Sequence, residues 1–449
     1  MAPRSASLFI FSGHTGTRTG ARLVFAALLL LVAEPSCKSQ SPKLVPAFLT
    51  DGMAKKNQVF AELDVAIDAA GDYLIHHTDK QGRFTYVVAP DGTAATNRYN
   101  VVRHGGAIYA LSELAKSAST SRESKTAIRR TILAASSYLV AHHVDRFELA
   151  RYGLDSDPAN ENALAVWSLP PQEIRHGDQR AVKLGGIGLG LVGLCAAHQL
   201  GFDEASLPLL RGLGSTIAAM QKPDGHFVSK VHEDRGVDPR FVSLYYPGEA
   251  VLGLVRLYRI DRDVRWLEIA GRAIAALILA RADLSEHELP ADHWLLIAIG
   301  ELARLVSEEP ELGSHFPFSH REMISHAVRI ADAMLAEQHH ADAAGAFTAD
   351  RRTTPTSTRL EGIGALLRVL PLLHPARERL LVGARVGTQF LLGCQVREHG
   401  IRDGGIPRRC GSSGRESRDR RANEIRIDYV QHALSAFLIA RDLELFTRQ

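Results

Sequence analysis

Residues 182–199, which read VKLGGIGLGLVGLCAAHQ, form the stretch of this chain that decides the fold. The stretch is apolar on nearly every side, and five of its residues are glycine. A helix that is apolar all round is buried all round, because none of its faces is suited to water. Glycine and alanine also let neighbouring helices pack closely. We therefore expect an inner helix that is enclosed by other helices.

The same kind of helix recurs as the second member of a pair, six times between Val59 and the C-terminus. The first member of each pair is amphipathic, with charges on one face. Such a pair cannot bury its apolar face alone, so the pairs must stack, and six pairs are enough to close a ring. The predicted all-α toroid has outer helices over residues 59–78, 123–143, 204–221, 264–282, 319–338 and 376–395, and inner helices over residues 102–116, 182–199, 248–259, 291–306, 358–372 and 428–444.

A repeated turn follows several of the outer helices. Residues 79–84 read DKQGRF, residues 221–227 read QKPDGHF and residues 343–347 read AAGAF. Glycine permits the positive φ that ends a helix, and the aromatic residue after it can fold back on the bundle. We interpret these turns as structural. The long charged loop over residues 397–425 is interpreted as a solvated insertion, with an anion-binding patch as the alternative.

Composition places the chain among ordinary globular proteins. It has 449 residues, 45% of them hydrophobic, and a formal net charge of +3 with acidic and basic residues interspersed. Nucleic-acid binding would need a concentrated basic face, so it is not supported. The length would suit two or three domains, but one toroid of twelve helices uses the same length.

The N-terminus has the features of an export signal. Arg18 and Arg22 precede the apolar run 23–33, which is too short to span a bilayer. Cys37 and a polar stretch follow, so the segment resembles a bacterial lipoprotein signal with Cys37 as the lipidated residue. We expect an exported protein of the cell envelope, lipid-anchored in the periplasm or outer membrane, with ordinary secretion and an uncleaved anchor as alternatives. The predicted division is a signal peptide over 1–36, a linker over 37–57 and the toroid over 58–449.

Three further cysteines have no metal-type spacing. Cys195 lies in an apolar segment and is expected to be buried. Cys394 and Cys410 are candidates for a disulfide across a loop in an oxidising compartment, and the sequence leaves that pairing open.

Ionisable residues gather where the inner helices begin. Helix N-termini present free N–H groups and favour anionic ligands, and a closed ring would bring the six starts to one end. We expect the functional site there. The starts read RHGGA at 103–107, KLGGI at 183–187, YPGEA at 246–250, DHWL at 292–295, RLEGI at 359–363 and DYVQHA at 428–433.

This arrangement resembles the (α/α)6 toroids over residues 58–445. The resemblance extends to six-hairpin glycosidases, polysaccharide lyases, N-acylglucosamine 2-epimerases and the helical domain of glucuronyl C5-epimerases. It is specific for the fold and not for an activity. The turn at 221–227 also resembles the repeat turns of terpenoid cyclases, but the closely spaced aspartates of that branch are absent. The resemblance implies a carbohydrate-active enzyme with an oligo- or polysaccharide as its partner.

Two carboxylates support a glycoside hydrolase as the first interpretation. Glu249 and Glu361 have nearly the same register, each followed by an apolar run. Carboxylates are rarely buried unless they are paired or functional, and two at a cavity mouth can act as general acid and base on a glycosidic bond. Asp292 is a third catalytic candidate and also suits an N-cap. The alternative is that the glutamates cap helices or pair with Arg103, Lys183 or Arg359.

Two histidines support a second interpretation. His104 and His432 begin the first and last inner helices, which are neighbours in a closed ring, so the two side chains would meet. Histidine titrates near neutrality, and such a pair would suit a sugar epimerase or a polysaccharide lyase. The alternative is that each is a structural histidine.

Several residues near the same starts are predicted to bind substrate. Trp294 and the pair Tyr245-Tyr246 offer flat faces on which sugar rings can stack, with core packing as the alternative. Two arginines can clamp a carboxylate, which would suit a uronic acid. The predicted substrate-binding residues are Tyr99, Asn100, Arg103, Tyr246, Trp294, Arg359 and Asp428.

No cofactor and no metal are predicted. The sequence has no HExxH motif, and the glycine run at 186–190 is not preceded by a strand, so it is not a dinucleotide fingerprint. A third possibility is a non-catalytic envelope lipoprotein whose cavity binds glycans or peptides.

Overall fold

The computed structural model describes residues 47–95, 99–117, 120, 122–154, 160, 162–176, 178–339, 344–411, 419 and 421–446. The chain forms two compact units, residues 1–50 and 51–449, and the second unit contains the helical repeats. The predicted signal peptide and Cys37 lie outside the described residues, so export and lipid anchoring stay predictions. No helix among the described residues is long and apolar enough to cross a membrane.

Twelve α-helices make up most of the described part of the second unit. Most begin and end within a few residues of the predicted positions, although the first begins at Ala47 and not at Val59. They are α1 (Ala47–His76), α2 (Val101–Lys116), α3 (Arg122–His143), α4 (Leu184–Gln199), α5 (Leu207–Ala219), α6 (Tyr246–Asp261), α7 (Arg265–Ala280), α8 (His293–Glu308), α9 (His320–Ala336), α10 (Thr353–Leu367), α11 (Arg377–Leu392) and α12 (Ile427–Asp442).

The even-numbered helices form a closed inner ring. Each packs on the next, from α2 through α4, α6, α8 and α10 to α12, and α12 packs on α2. The odd-numbered helices lie outside this ring, each against the inner helix of its own hairpin or a neighbouring one. The predicted arrangement of inner and outer helices is confirmed.

Glycines bring the inner helices almost backbone to backbone. A Cβ at Gly105 of α2 would lie 2.8 Å from a backbone atom of Leu189 in α4. At Gly188 of α4 it would lie 2.7 Å from the nitrogen of Ala250 in α6. No side chain fits in these spaces, so the glycine content that marked these helices in the sequence sets the small radius of the ring.

Short antiparallel strands lie beside the starts of the inner helices. The strand β4 runs directly into α4, and β7 runs directly into α12. The prediction that no strand precedes the glycine run at 186–190 is therefore wrong, but β4 pairs antiparallel with β5, whereas a dinucleotide fingerprint needs a parallel βαβ unit. Pairing of β1 with β7 also joins the first and last repeats, with Val87 opposite Arg426. The strands are β1 (Val87–Val88), β2 (Val144–Arg146), β3 (Leu164–Val166), β4 (Ala181–Lys183), β5 (Lys230–His232), β6 (Gly236–Val237) and β7 (Ile425–Arg426), in sheets ordered β1-β7, β2-β3 and β4-β5-β6.

Each repeated turn packs against the outer helix of the next hairpin. The φ angle is 90° at Gly82, 85° at Gly225 and 90° at Gly345, as the sequence predicted. A Cβ at these glycines would lie 1.9, 2.6 and 2.3 Å, respectively, from a carbonyl oxygen of α3, α7 and α11. Gly404 repeats the arrangement at the last turn, where the neighbour is Ala69 of the first outer helix.

A disulfide joins Cys394, just after α11, to Cys410. The pairing that the sequence left open is therefore present. Cys195 is free and buried, as expected. The disulfide attaches the segment that carries Arg408 to the outer ring.

Candidate functional site

A cavity of about 270 Å³ lies at the end of the ring where the inner helices begin. Side chains from the starts of α2, α8, α10 and α12 converge on it, together with the segment between α11 and α12. This is the position that the helix starts predicted. The described residues that line it include His293, Trp294, His432, Tyr245, Tyr429, Asp428, Thr354 and six arginines.

Another cavity, of about 220 Å³, lies at the opposite end of the inner helices. Its most prominent charged group is Arg256, whose guanidinium binds Glu301 and Glu113. Lys116 also pairs with Glu113 at 3.1 Å, so the two cations neutralise both carboxylates and hold them in place. The first cavity is therefore the better candidate for chemistry.

His432 and Glu361 form a buried pair across neighbouring inner helices. Nδ1 of His432 lies 2.6 Å from Oε2 of Glu361, and the two residues are 3% and 1% exposed. An ionised Glu361 accepts the Nδ1 hydrogen, which leaves Nε2 of His432 able to take up a proton. Burial raises the pKa of Glu361, and the nearby His432 opposes that rise. The carboxylate therefore acts on His432 and does not itself line the cavity.

His293, the first residue of α8, lies beside His432 in the cavity. Its ring centroid lies 5.4 Å from that of His432, and neither of its ring nitrogens has a hydrogen-bond partner among the described residues. Burial lowers the pKa of His293 well below its usual range, and the nearby His432 acts in the same direction. His293 is therefore neutral at physiological pH, with one nitrogen that donates and one that accepts.

Sequence reasoning selected the neighbours of His293 and missed His293 itself. It named Asp292 and Trp294 from the same helix start. The signal was present, because His293 occupies the first position of an inner helix. Consecutive helical residues point about 100° apart. Which of the three side chains faces the cavity therefore depends on how the helix is rotated, and the sequence does not give that rotation.

One group of described residues could hold a metal ion. Candidate ligand atoms of His293, Glu361 and His432 all lie within 4.8 Å of one another. Two imidazoles and a carboxylate are a common donor set for zinc and for non-haem iron. The prediction of no metal therefore stays a prediction.

His104 is a structural histidine. It is fully buried, its Nε2 donates to the carbonyl of Ala135 in α3 at 2.8 Å, and its Nδ1 accepts from the hydroxyl of Tyr99. Burial lowers the pKa of His104 to about 3. The structure corrects the predicted pairing with His432, because both nitrogens of His104 are engaged on the side of the outer helix.

Tyr99 and Asn100 also have structural contacts. The ring of Tyr99 stacks on His143, and Asn100 caps α2 by accepting the N–H of Val102 at 3.0 Å. Neither residue lines the cavity. The predicted rim role is therefore not supported for these two residues.

Asp292 is an N-cap in an ion pair. Its Oδ1 accepts the N–H of Leu295 at 3.2 Å, and its Oδ2 lies 2.9 Å from the guanidinium of Arg281. The residue is fully buried and does not line the cavity. Of the two roles that the sequence left open, the structure shows the cap.

Glu249 is buried, and its Oε2 has no hydrogen-bond partner among the described residues. It packs so tightly on α4 that a Cβ at Gly185 would lie 2.0 Å from that oxygen. Burial raises the pKa of Glu249 to about 8, with Arg103 opposing and Asp292 adding to the rise. Because Glu249 does not line the cavity and Glu361 is bound to His432, the two glutamates do not flank a common space as the hydrolase interpretation required.

Glu249→Gln is expected to change the pH dependence of stability. The folded chain holds a proton on Glu249 that the unfolded chain loses above pH 4.5, so burial of this group destabilises the fold increasingly as pH rises from 4.5 to 8. At about 1.4 kcal/mol per pKa unit, the effect is roughly 3 kcal/mol at pH 7. Denaturant unfolding of Glu249→Gln relative to wild type should show a gain that grows over this pH window. The exposed Glu398→Gln serves as control, and a pH-independent difference for Glu249→Gln would contradict the assignment.

The predicted arginines do line the cavity. Nε of Arg103 lies 3.4 Å from Oδ2 of Asp428, and Arg426 binds both oxygens of the same carboxylate at 2.9 and 2.7 Å. Arg359 is bound to Glu337 through Nε at 3.0 Å. The carboxylate of Asp428 is thus occupied by arginines.

Trp294 and one member of the tyrosine pair line the cavity. Trp294 lines the cavity and lies beside His432, with ring centroids 5.8 Å apart. Tyr246 instead packs against Gly185, and its neighbour Tyr245 lines the cavity, 5.0 Å from the ring of His293. Tyr245 and Trp294 thus flank the histidines.

Solved structures share this architecture. A sugar epimerase from a ruminal bacterium matches with a TM-score of 0.61 and 10% identity, over 85% of this chain and 99% of that chain. A D-mannose isomerase matches with a TM-score of 0.60 and 12% identity, over 84% of this chain and 96% of that chain. The chain has the (α/α)6 toroid fold.

Further toroids agree with this result. The α-1,6-mannanase GH76A from Salegentibacter sp. HEL1_6 has a TM-score of 0.55 and 10% identity to this chain, over 85% of this chain and 99% of that chain. No protein-family model and no curated protein matches the sequence. At these identities the likeness establishes the toroid, and the activity must be argued from the cavity.

Proposed function

We propose that this toroid is a sugar epimerase or isomerase that moves a proton at a carbon next to the carbonyl group. The observation that carries the proposal is the pair of histidines in one cavity, with His432 bound to Glu361 and His293 beside it. Similarity to a sugar epimerase and to a mannose isomerase supports a carbohydrate as the substrate.

The chemistry follows from the protonation states of the two rings. Nε2 of His432 would take the proton from the carbon, and the electron pair of that C–H bond would form the double bond of an enediol. The carbonyl oxygen would receive a proton from the neutral His293. Glu361 would stabilise the positive charge on His432 in the transition state. His293 would then take back a hydroxyl proton of the enediol to restore a carbonyl group, while the proton on Nε2 of His432, which can exchange with solvent, would be delivered to carbon. Delivery to the opposite face of the same carbon, after the enediol has turned in the cavity, gives an epimer. Delivery to the neighbouring carbon gives an isomer.

The size of the cavity favours a small sugar. Ligand pockets usually measure ~300–1,000 Å³, and this cavity, at about 270 Å³, is just below that range. A mono- or disaccharide suits it better than a long polymer. A variant of the neighbouring GH76A mannanase forms a complex with α-1,6-mannotriose, so a toroid of this kind can bind an oligosaccharide.

The glycoside hydrolase interpretation has less support, because neither Glu249 nor Glu361 lines the cavity.

Export and lipid anchoring through Cys37 remain part of the proposal, since they rest on the sequence alone. Loss of lipid labelling in Cys37→Ser would support the anchor, and persistent labelling would refute it.

The proposal predicts exchange of a carbon-bound proton with solvent. The purified chain would be incubated in D2O with reducing mono- and disaccharides, including glucose, mannose, cellobiose and glucuronate. Deuterium at the carbon next to the carbonyl, together with a new epimer or ketose, is expected by NMR and mass spectrometry. Exchange should persist after chelation, because the two histidines need no metal.

Three outcomes would contradict the proposal. Release of reducing ends from a glycan without exchange would indicate a hydrolase. Loss of activity on chelation, with recovery on adding a divalent ion, would reassign the two histidines and Glu361 to a metal centre. Stabilisation by sugars without any turnover would indicate a binding protein.

A further inference from the structure

Six arginines line the cavity, and we call them the arginine wall. They come from separate parts of the chain, which are the start of α2, the N-cap and first turns of α10, the segment between α11 and β7, and β7 itself. The wall consists of Arg103, Arg352, Arg359, Arg408, Arg421 and Arg426.

The positive charge of the wall exceeds the negative charge paired with it. Among the described residues, the six arginines and the adjacent Arg409 share five carboxylates in the ion pairs of this region. Arg409 in turn binds Asp350 at 2.8 Å, so it competes for the carboxylate that also pairs with Arg352. The five carboxylates are Glu337, Asp350, Asp419, Glu424 and Asp428.

Within the part of the chain that the structure describes, no other acidic group balances this excess at the lining surface. Asp428 is the one acidic residue among the described residues that line the cavity, and it is 1% exposed and already held by two arginines. The buried hydroxyl of Thr354 has no hydrogen-bond partner among these residues. A ligand in the cavity therefore meets a surplus of cationic donors.

We propose that the sugar taken by this cavity carries an anionic group, either a carboxylate or a phosphate ester, and that the arginine wall binds it. A guanidinium presents donors in a planar fork that matches these anions, and partial burial keeps the attraction from being screened fully. The identification of the ligand as a sugar rests on the proposed function, and the anionic group rests on the wall. Neutral sugars would lack the main attractive contact.

The test measures binding and does not need turnover. Calorimetry at fixed ionic strength would compare D-glucuronate, D-glucose 6-phosphate and D-glucose with the full chain. At least one of the two anions should bind about tenfold or more tightly than glucose, since one charged contact is worth ~1.4 kcal/mol or more. The stronger of the two anions identifies the source of the negative charge.

Arg352→Gln is the informative variant. Its partner Asp350 keeps a second arginine, Arg409, so the substitution leaves no orphaned carboxylate and should not unfold the chain. Affinity for the preferred anion should fall about fivefold or more, and affinity for glucose should not change. Arg379→Gln is the matched control, because Arg379 is paired with Asp332 on the outer helices and does not line the cavity.

The proposal is overturned if both anions bind no more tightly than glucose, or if Arg379→Gln weakens binding as much as Arg352→Gln does. The proposal is also overturned if inorganic phosphate or acetate binds as tightly as the sugar anions, because contact with Tyr245 and Trp294 should increase the affinity for a sugar anion. The two proposals fail separately. Anion binding without deuterium exchange would refute the chemistry alone, and exchange in neutral sugars without anion preference would refute the arginine wall alone.

Discussion

Replacing His432 with asparagine is expected to slow exchange of the substrate proton by about a thousandfold. General acid–base catalysis by a positioned side chain contributes roughly 10²–10⁴ in rate, and asparagine has no basic nitrogen. The amide of asparagine can still donate to Glu361 in place of Nδ1, so the buried carboxylate keeps a partner and the fold should be retained. The rate of deuterium incorporation and the thermal midpoint would be measured on the same protein.

A matched control is available on an outer helix. His326 of α9 resembles His293 in being buried, with neither ring nitrogen hydrogen-bonded to a described residue, and burial lowers its pKa to about 4. It does not line the cavity. His293→Asn should lose activity as His432→Asn does, whereas His326→Asn should keep it. Full activity in His432→Asn, or equal losses in all three variants, would refute the assigned roles.

Gly82→Ala is expected to destabilise the toroid by about 2–5 kcal/mol. The residue has a φ of 90°, and a Cβ there would lie 1.9 Å from the carbonyl oxygen of Ala134 in α3. An alanine must adopt a left-handed conformation, which costs ~1–2 kcal/mol, and must also displace a helix backbone, which adds ~1–3 kcal/mol. Denaturant unfolding gives the difference in free energy.

Gly236→Ala separates these two contributions. Gly236 has a φ of 78°, but nothing among the described residues lies within 4 Å of the position of its Cβ. Its replacement should cost only the ~1–2 kcal/mol of the backbone conformation. If the two variants were equally stable, the contact between turn and helix would not contribute to stability.

The fold could be predicted because its signals are local and repeated. Helical periodicity separates charged outer helices from apolar inner ones, and the glycines of residues 182–199 already indicate close packing on every side. The positive φ at Gly82 likewise follows from the residue type at the end of a helix. The number of repeats then limits the arrangement to a ring.

The site was harder to predict, because it depends on which way single side chains point. In the helix start Asp292-His293-Trp294, the structure turns His293 and Trp294 to the cavity and Asp292 to Arg281. Near the start of α2, Arg103 faces the cavity and His104 faces α3. Sequence alone gives the register of these positions, and packing between helices selects the direction.

The arginine wall depends on contacts that are distant in sequence. Arg408 and Arg421 belong to the loop that we interpreted as a solvated insertion. The disulfide between Cys394 and Cys410, and the pairing of β7 with β1, bring that loop to the cavity. Neither contact has a periodic signal, so the alternative of an anion-binding patch could not be preferred from the sequence.

The contact of the last turn with the first outer helix has a topological consequence. Because α12 packs on α2, and Arg441 of α12 lies 3.4 Å from Asp64 of α1, the last hairpin packs on the first. An open array has outermost units that can peel away, but here every hairpin has two flanking partners. The order of the hairpins around the axis therefore does not depend on which comes first, and a circularly permuted chain opened at an outer turn would have the same neighbours throughout.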